Sequence, residues 1–296
     1  MKQPIFTGSA AAIVSPFNRE TLDVSALKRL LDFQLEHNTD AIVVCGTTGE
    51  ASTMSYREKM RAIECCVEHV AGRVPVIAGS GANSTETAIA LSRDAQRTGA
   101  DALLVVTPYY NKATQAGLIR HYGLLADAVE IPLMLYNVPS RTGVAIQPET
   151  YAILAKHPNI NGVKEAGGSL SNIQKTRNLC PEDFYIWSGN DDETVPICAL
   201  GGRGVVSVAA NVVPAKMHQL VSLCLENDFA AAGRLQLELK SLCDALFCEV
   251  NPIPVKTALN LMGMNAGELR LPLCPPSAAN AERIRRTLAD YHLIEA

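Results

Sequence analysis

The chain has 296 residues, 48% of them hydrophobic and 19% charged, with a formal net charge of -4. This composition supplies a sizeable core, excludes disorder and leaves no basic footprint for nucleic acid. No apolar run approaches membrane-spanning length, and Met1-Lys2-Gln3-Pro4 lacks the apolar stretch of a secretion signal, so a cytoplasmic location is expected.

Short apolar runs recur at Ala10–Val14, Ala41–Cys45, Val74–Ala78, Ala102–Val106, Leu133–Tyr136, Ile160–Val163, Phe184–Trp187 and Val205–Val208. They start about 20 to 33 residues apart, the length of one strand, one helix and two loops. Helical periodicity fills the gaps: Val24–His37, with Asp23 or Ser25 as cap, Tyr56–Val70, and Thr85–Thr98, with Ser84 or Thr85 as cap. It continues over Gln115–Val129, Pro148–Lys156, Ser169–Leu179 and Glu193–Leu200. Nine cysteines, with no Cys-x-x-Cys pair and Cys65-Cys66 adjacent on a helix, read as reduced thiols and not as metal ligands. Eight strands apolar on both faces, alternating with helices, predict an α/β fold: a (β/α)8 TIM barrel of parallel strands. An open doubly wound sheet is disfavoured by the even spacing and by the absence of a Gly-x-Gly-x-x-Gly turn. After Asn211 only helices follow, over Pro214–Glu226, Phe229–Phe247, Pro254–Met264 and Ala278–Tyr291. The expected division is a catalytic barrel over 1–226 and a C-terminal helical appendage over 227–296 packed on it.

In such a barrel the chemistry belongs at the C-terminal ends of the strands. Those positions hold Gly46-Thr47-Thr48-Gly49-Glu50, Tyr109-Tyr110-Asn111, Tyr136-Asn137-Val138-Pro139-Ser140-Arg141-Thr142-Gly143, Lys164, and Ser188-Gly189-Asn190-Asp191. A lysine at the end of an apolar strand stands out, because burying a charged amine is costly and the neutral amine is the form that attacks a carbonyl. Taken singly the others have ordinary readings. Thr47 and Thr48 suit helix capping, as do Asp191 and Asp192 before any metal, and Gly79-Ser80-Gly81 suits a tight turn before any phosphate cradle.

Together, the glycine-threonine stretch Gly46–Glu50, Tyr109-Tyr110-Asn111, the run from Tyr136 to Gly143, Val163-Lys164-Glu165 and Asn251-Pro252-Ile253-Pro254-Val255-Lys256 resemble the dihydrodipicolinate synthase family, pyruvate-dependent class I aldolases related to N-acetylneuraminate lyase. The resemblance runs from Gly8 through the C-terminal helices. It implies a Schiff base between Lys164 and pyruvate, with Tyr136 as general acid/base and aspartate-4-semialdehyde as the second substrate. The product is then 4-hydroxy-tetrahydrodipicolinate, on the route to diaminopimelate and lysine. It further implies that Thr48 links Tyr136 to Tyr110, which reaches in from a neighbouring subunit, and that Thr47 binds the pyruvate carboxylate. Arg141 grips the carboxylate of the second substrate, while Gly189 and Val206 offer backbone groups beside Lys164. No metal or other cofactor is expected, because the protonated imine is the electron sink. The family is usually a homotetramer, a dimer of dimers.

Lysine-inhibited relatives bind lysine at the tight dimer interface, where this chain has Ala51, Ser52, Tyr56, Lys59, Asn83, Glu86 and Tyr109. Tyr56 and Lys59 depart from the histidine or glutamate common in sensitive relatives, and a cation at 59 opposes an incoming ammonium, so feedback is expected to be weak or absent. The nearest alternative is an N-acetylneuraminate or 2-keto-3-deoxy-sugar-acid lyase, which shares the lysine and tyrosine. The threonine pair and Arg141 favour the synthase. A non-catalytic keto-acid-binding barrel is the alternative of another class, and the full acid/base set argues against it.

Overall fold

The structure, a computed structural model, describes residues 1–19 and 21–295. Eight parallel strands close into a barrel: β1 (Gly8–Ala12), β2 (Ala41–Val44), β3 (Val76–Gly79), β4 (Ala102–Val106), β5 (Leu133–Asn137), β6 (Ile160–Glu165), β7 (Tyr185–Ser188) and β8 (Gly204–Ser207). Each pairs with its sequence neighbours, and β1 pairs with β8 to close the ring. Alternate side chains point inward, so the fold has two apolar layers. Ala10, Ala41, Val43, Ile77, Leu104, Met134, Tyr136, Trp187 and Val206 fill the barrel, and a larger cluster joins the strands to the helices outside. Phe6 closes the N-terminal end, stacking on Trp187 at 5.4 Å and accepting its indole N–H at 3.1 Å through the backbone carbonyl.

Most helices start where their caps direct. Asp23 accepts the Ala26 N–H ahead of α1 (Val24–Glu36), Ser55 and Glu58 form a reciprocal capping box on α2 (Tyr56–Val70), and Ser84 caps α3 (Thr85–Arg97). The threonine pair therefore caps no helix. Gly79 is the last residue of β3 and not part of a turn, and it is glycine because an added Cβ would lie 2.1 Å from the Cys45 carbonyl oxygen.

The expected boundaries shift in instructive ways. β1 lies two residues earlier than the apolar run: Ile13 and Val14 are buried past the ladder, and the Val14 N–H turns to the Asn211 side chain at 3.2 Å. β6 extends two residues beyond Val163 and takes Lys164 and Glu165 into the ladder. One long helix was expected over Phe229–Phe247, but the chain breaks at Leu239 into Phe229–Glu238 and Lys240–Leu246, with no glycine or proline to mark the place. A four-residue helix, Pro139–Thr142, carries Arg141 directly after β5. The helices Ile253–Leu261 and Ala278–Asp290 complete the chain.

Candidate active site

Strand register builds the centre of the site. Tyr136 on β5 pairs with Lys164 on β6, which pairs with Trp187 on β7, so the three side chains form one row on the inner face. Lys164 is 6% exposed, as is Tyr136, and its Nζ lies 4.3 Å from the centroid of the Tyr136 ring. Above them is a cavity of about 200 Å³ bordered by both residues and by Thr47, Thr48, Arg141, Gly189, Val208 and Asn251, among others. Gly189 is small by necessity. A Cβ there would stand 2.8 Å from that of Ala166 and 3.2 Å from Cε of Lys164. Its N–H donates to the Glu165 carbonyl at 2.7 Å, so the backbone group it can offer a ligand is its carbonyl. Val206 is buried on the inner face of β8 and does not border this cavity; Val208, two residues on, does.

A second cavity, of about 320 Å³, shares Thr47, Tyr136, Val138 and Arg141 with the first and runs toward Ala51, Ser52, Lys59 and Tyr109. Four of the seven residues expected to hold an effector therefore border one space. Tyr56 instead hydrogen-bonds Asp94 with its hydroxyl, and Asn83 and Glu86 are exposed outside the lining. Lys59 and Arg141 are the charged side chains in that lining, both cationic. Tyr110 borders neither cavity. It is 85% exposed with φ +80°, an aromatic side chain held out from the chain that carries it.

The site rests on buried polar groups. The Glu165 carboxylate, on the outer face of β6, accepts from Asn137 Nδ2 at 2.8 Å, the Tyr151 hydroxyl at 3.0 Å and the Gly167 N–H at 2.7 Å. Burial raises its pKa and these three donors oppose the shift. Asp191 was expected to cap its own helix. Its buried carboxylate instead crosses to the end of β8, accepting from the Ser207 hydroxyl at 2.5 Å and from the Val208 and Ala209 N–H groups at 3.1 Å each. Burial raises its pKa too, against those hydrogen bonds and the charge of Lys164.

The loop after β2 is clamped from the C-terminal region. Asn251 Nδ2 donates to Thr48 Oγ1 at 3.0 Å. Lys256, 1% exposed, donates to Glu50 Oε1 at 2.7 Å and to the carbonyls of Ser15 and Glu268 at 3.0 and 2.5 Å. The Arg270 N–H supplies the other Glu50 oxygen at 3.0 Å. Glu50 itself sits at φ +51°, a conformation that costs energy for any residue with a Cβ and persists here under these bonds. Neither Asn251 nor Glu165 had been assigned a role from sequence. Both lay inside the motifs, but a motif does not state which atom each side chain meets.

A model of the dihydrodipicolinate synthetase family matches residues 5–291. The chain is similar to proteins named 4-hydroxy-tetrahydrodipicolinate synthase. The one from Caldicellulosiruptor saccharolyticus is 52% identical over 289 residues, 97% of this chain and 98% of the relative. The one from Thermoanaerobacter sp. (strain X514) is 51% identical over 293 residues, 99% of each. Among solved structures, the pyruvate complex of the chloride-inhibited dihydrodipicolinate synthase of Acinetobacter baumannii superposes with a TM-score of 0.95 at 42% identity, covering 97% of this chain and 99% of that one. By its matched family and the barrel it shares with these relatives, the chain belongs to the dihydrodipicolinate synthetase family.

Proposed function

We infer that the protein is a lyase that condenses pyruvate with L-aspartate-4-semialdehyde through a Schiff base and gives 4-hydroxy-tetrahydrodipicolinate. The observation that carries this reading is the row of Tyr136 and Lys164 in one small cavity with the threonine pair and Arg141. The Lys164 amine adds to the ketone of pyruvate, water leaves, and the protonated imine draws electrons from the methyl carbon. The enamine then attacks the aldehyde, and the amino group of the second substrate adds to the imine carbon and expels the Lys164 amine, which closes the ring and frees the enzyme. No external cofactor enters this scheme. Tyr136, beside the amine, carries protons to the departing oxygen and from the methyl group. Arg141 meets the second substrate's carboxylate with its guanidinium fork.

The lining favours exchanging the two threonines' roles. Thr47 borders both cavities, the right place for a link from Tyr136 toward an incoming Tyr110, whereas Thr48 borders only the one with Lys164 and suits the pyruvate carboxylate. The exposed Tyr110 supports a site completed by a second subunit, in a homotetramer of two tight dimers. Among the described residues no helix is long and apolar enough to cross a membrane, and a cytoplasmic setting fits amino-acid biosynthesis.

Tyr136→Phe tests the acid/base assignment. Its turnover with both substrates should fall by about 10² to 10⁴. Borohydride trapping with pyruvate should still label Lys164, but more slowly. Turnover near wild type would place the proton transfers elsewhere. Lysine titration tests the effector cleft. With Lys59 and Arg141 as its charged lining, the cavity should repel a third cation, and sub-millimolar lysine should leave the rate unchanged. Half-maximal inhibition in that range would contradict the electrostatic argument.

A further inference from the structure

We propose that Asn251 is a positioning residue for the keto-acid site: its amide sets the direction of the Thr48 hydroxyl, so that the hydroxyl's proton is aimed at the substrate carboxylate. The proposal rests on the reading of Thr48 as the group that meets that carboxylate.

A hydroxyl has one proton to give and room to accept. Asn251 Nδ2 donates to Thr48 Oγ1 at 3.0 Å, both side chains are at least nine-tenths buried, and both border the cavity that holds Lys164. A threonine oxygen that already accepts from one side is left to donate on the other, and the cavity lies there. The other end of the amide makes the same point by its cost. Asn251 Oδ1 is buried without a hydrogen-bond partner, a liability that an apolar side chain of similar size would not carry. What the asparagine offers in exchange is its N–H. The backbone of the same residue faces Arg141, whose Nη2 approaches the Asn251 carbonyl at 3.5 Å. Asn251 thus stands between the residues read as holding the two substrate carboxylates. It is delivered there from outside the barrel by the segment leading into the helix Ile253–Leu261, which Lys256 pins to Glu50 in the threonine loop. The C-terminal region is in this way part of the binding machinery.

A double-mutant cycle on the full-length protein tests this, with pyruvate KM, kcat and the rate of borohydride trapping as readouts and the thermal midpoint as a folding control. Asn251→Ala and Thr48→Val should each raise the pyruvate KM by about 10 to 100-fold, the effect of one misdirected charge-assisted bond. The double variant should be no worse than the poorer single, because Asn251 acts through Thr48. Additive losses, or Asn251→Ala with wild-type KM beside an impaired Thr48→Val, would overturn the proposal while leaving the threonine reading in place. Thr48→Val with wild-type KM would overturn that reading and the proposal together. If the alanine variant is poorly folded, the isosteric Asn251→Asp decides. As a carboxylate it can only accept from Thr48, turning the proton away from the cavity, so KM should be high at alkaline pH and fall as the aspartate protonates. A flat, wild-type pH profile of KM in Asn251→Asp would refute it.

Discussion

Lys164→Ala should lower turnover by more than about 10⁴-fold, the scale on which enzymes lose activity when a covalent nucleophile is removed. Among the described residues no other lysine borders the cavity with Lys164, and Lys59 borders only the adjoining one, so no amine replaces Lys164 in that cavity. The variant should remain folded. Lys164 Nζ meets the face of the Tyr136 ring, and the truncation enlarges a space that is already open. Steady-state rates with pyruvate and aspartate-4-semialdehyde, beside circular dichroism of the same preparation, check both halves. A folded alanine variant retaining a tenth of wild-type turnover would exclude the covalent route.

The second large effect concerns stability. Lys256→Met should destabilise the protein by about 3 to 5 kcal/mol, as removal of one partner from a buried ion pair does. The substitution leaves the Glu50 carboxylate in the interior with the Arg270 N–H and without its cation, and strips a donor from the carbonyls of Ser15 and Glu268. Burial lowers the Lys256 pKa and the Glu50 charge opposes that shift, the balance of a cation held by its partner. Adding Glu50→Gln to Lys256→Met should recover much of the loss, since the buried charge is then gone, and urea unfolding of the wild type and both variants measures it. Equal stability of Lys256→Met and wild type would show that the pair contributes nothing net. Because the same loop carries Thr47 and Thr48, the single variant should also bind pyruvate more weakly at temperatures where it is still folded.

How far these features could be read from residues alone varied with what the residues encode. Strand count and closure were legible because strands buried on both faces are apolar throughout, and eight such runs recur. Ends were less so, because apolarity reports burial and not pairing. Ile13 and Val14 are apolar and buried in the core after β1 has ended, while Lys164 and Glu165 are polar inside β6. Lys164 and Tyr136 were nameable from motif and position, and their adjacency followed once the register put them in one row. Asp191 was misread because capping is a local pattern and its carboxylate bonds are not: Ser207, Val208 and Ala209 lie 16 to 18 residues on. Asn251 was beyond reach for the same reason, 203 residues from the Thr48 hydroxyl it orients. Adjacent threonines likewise look interchangeable until the cavities tell them apart: both border the one with Lys164, and Thr47 also borders the second.

The central claim is that Lys164 forms a covalent imine with a 2-keto acid. The most direct measurement is to incubate the protein with pyruvate, reduce with borohydride and locate any added mass by peptide sequencing in the mass spectrometer. A single reduced pyruvyl adduct on the peptide bearing Lys164 is the predicted result. A folded protein with no adduct, or with its adduct on another lysine, would contradict it.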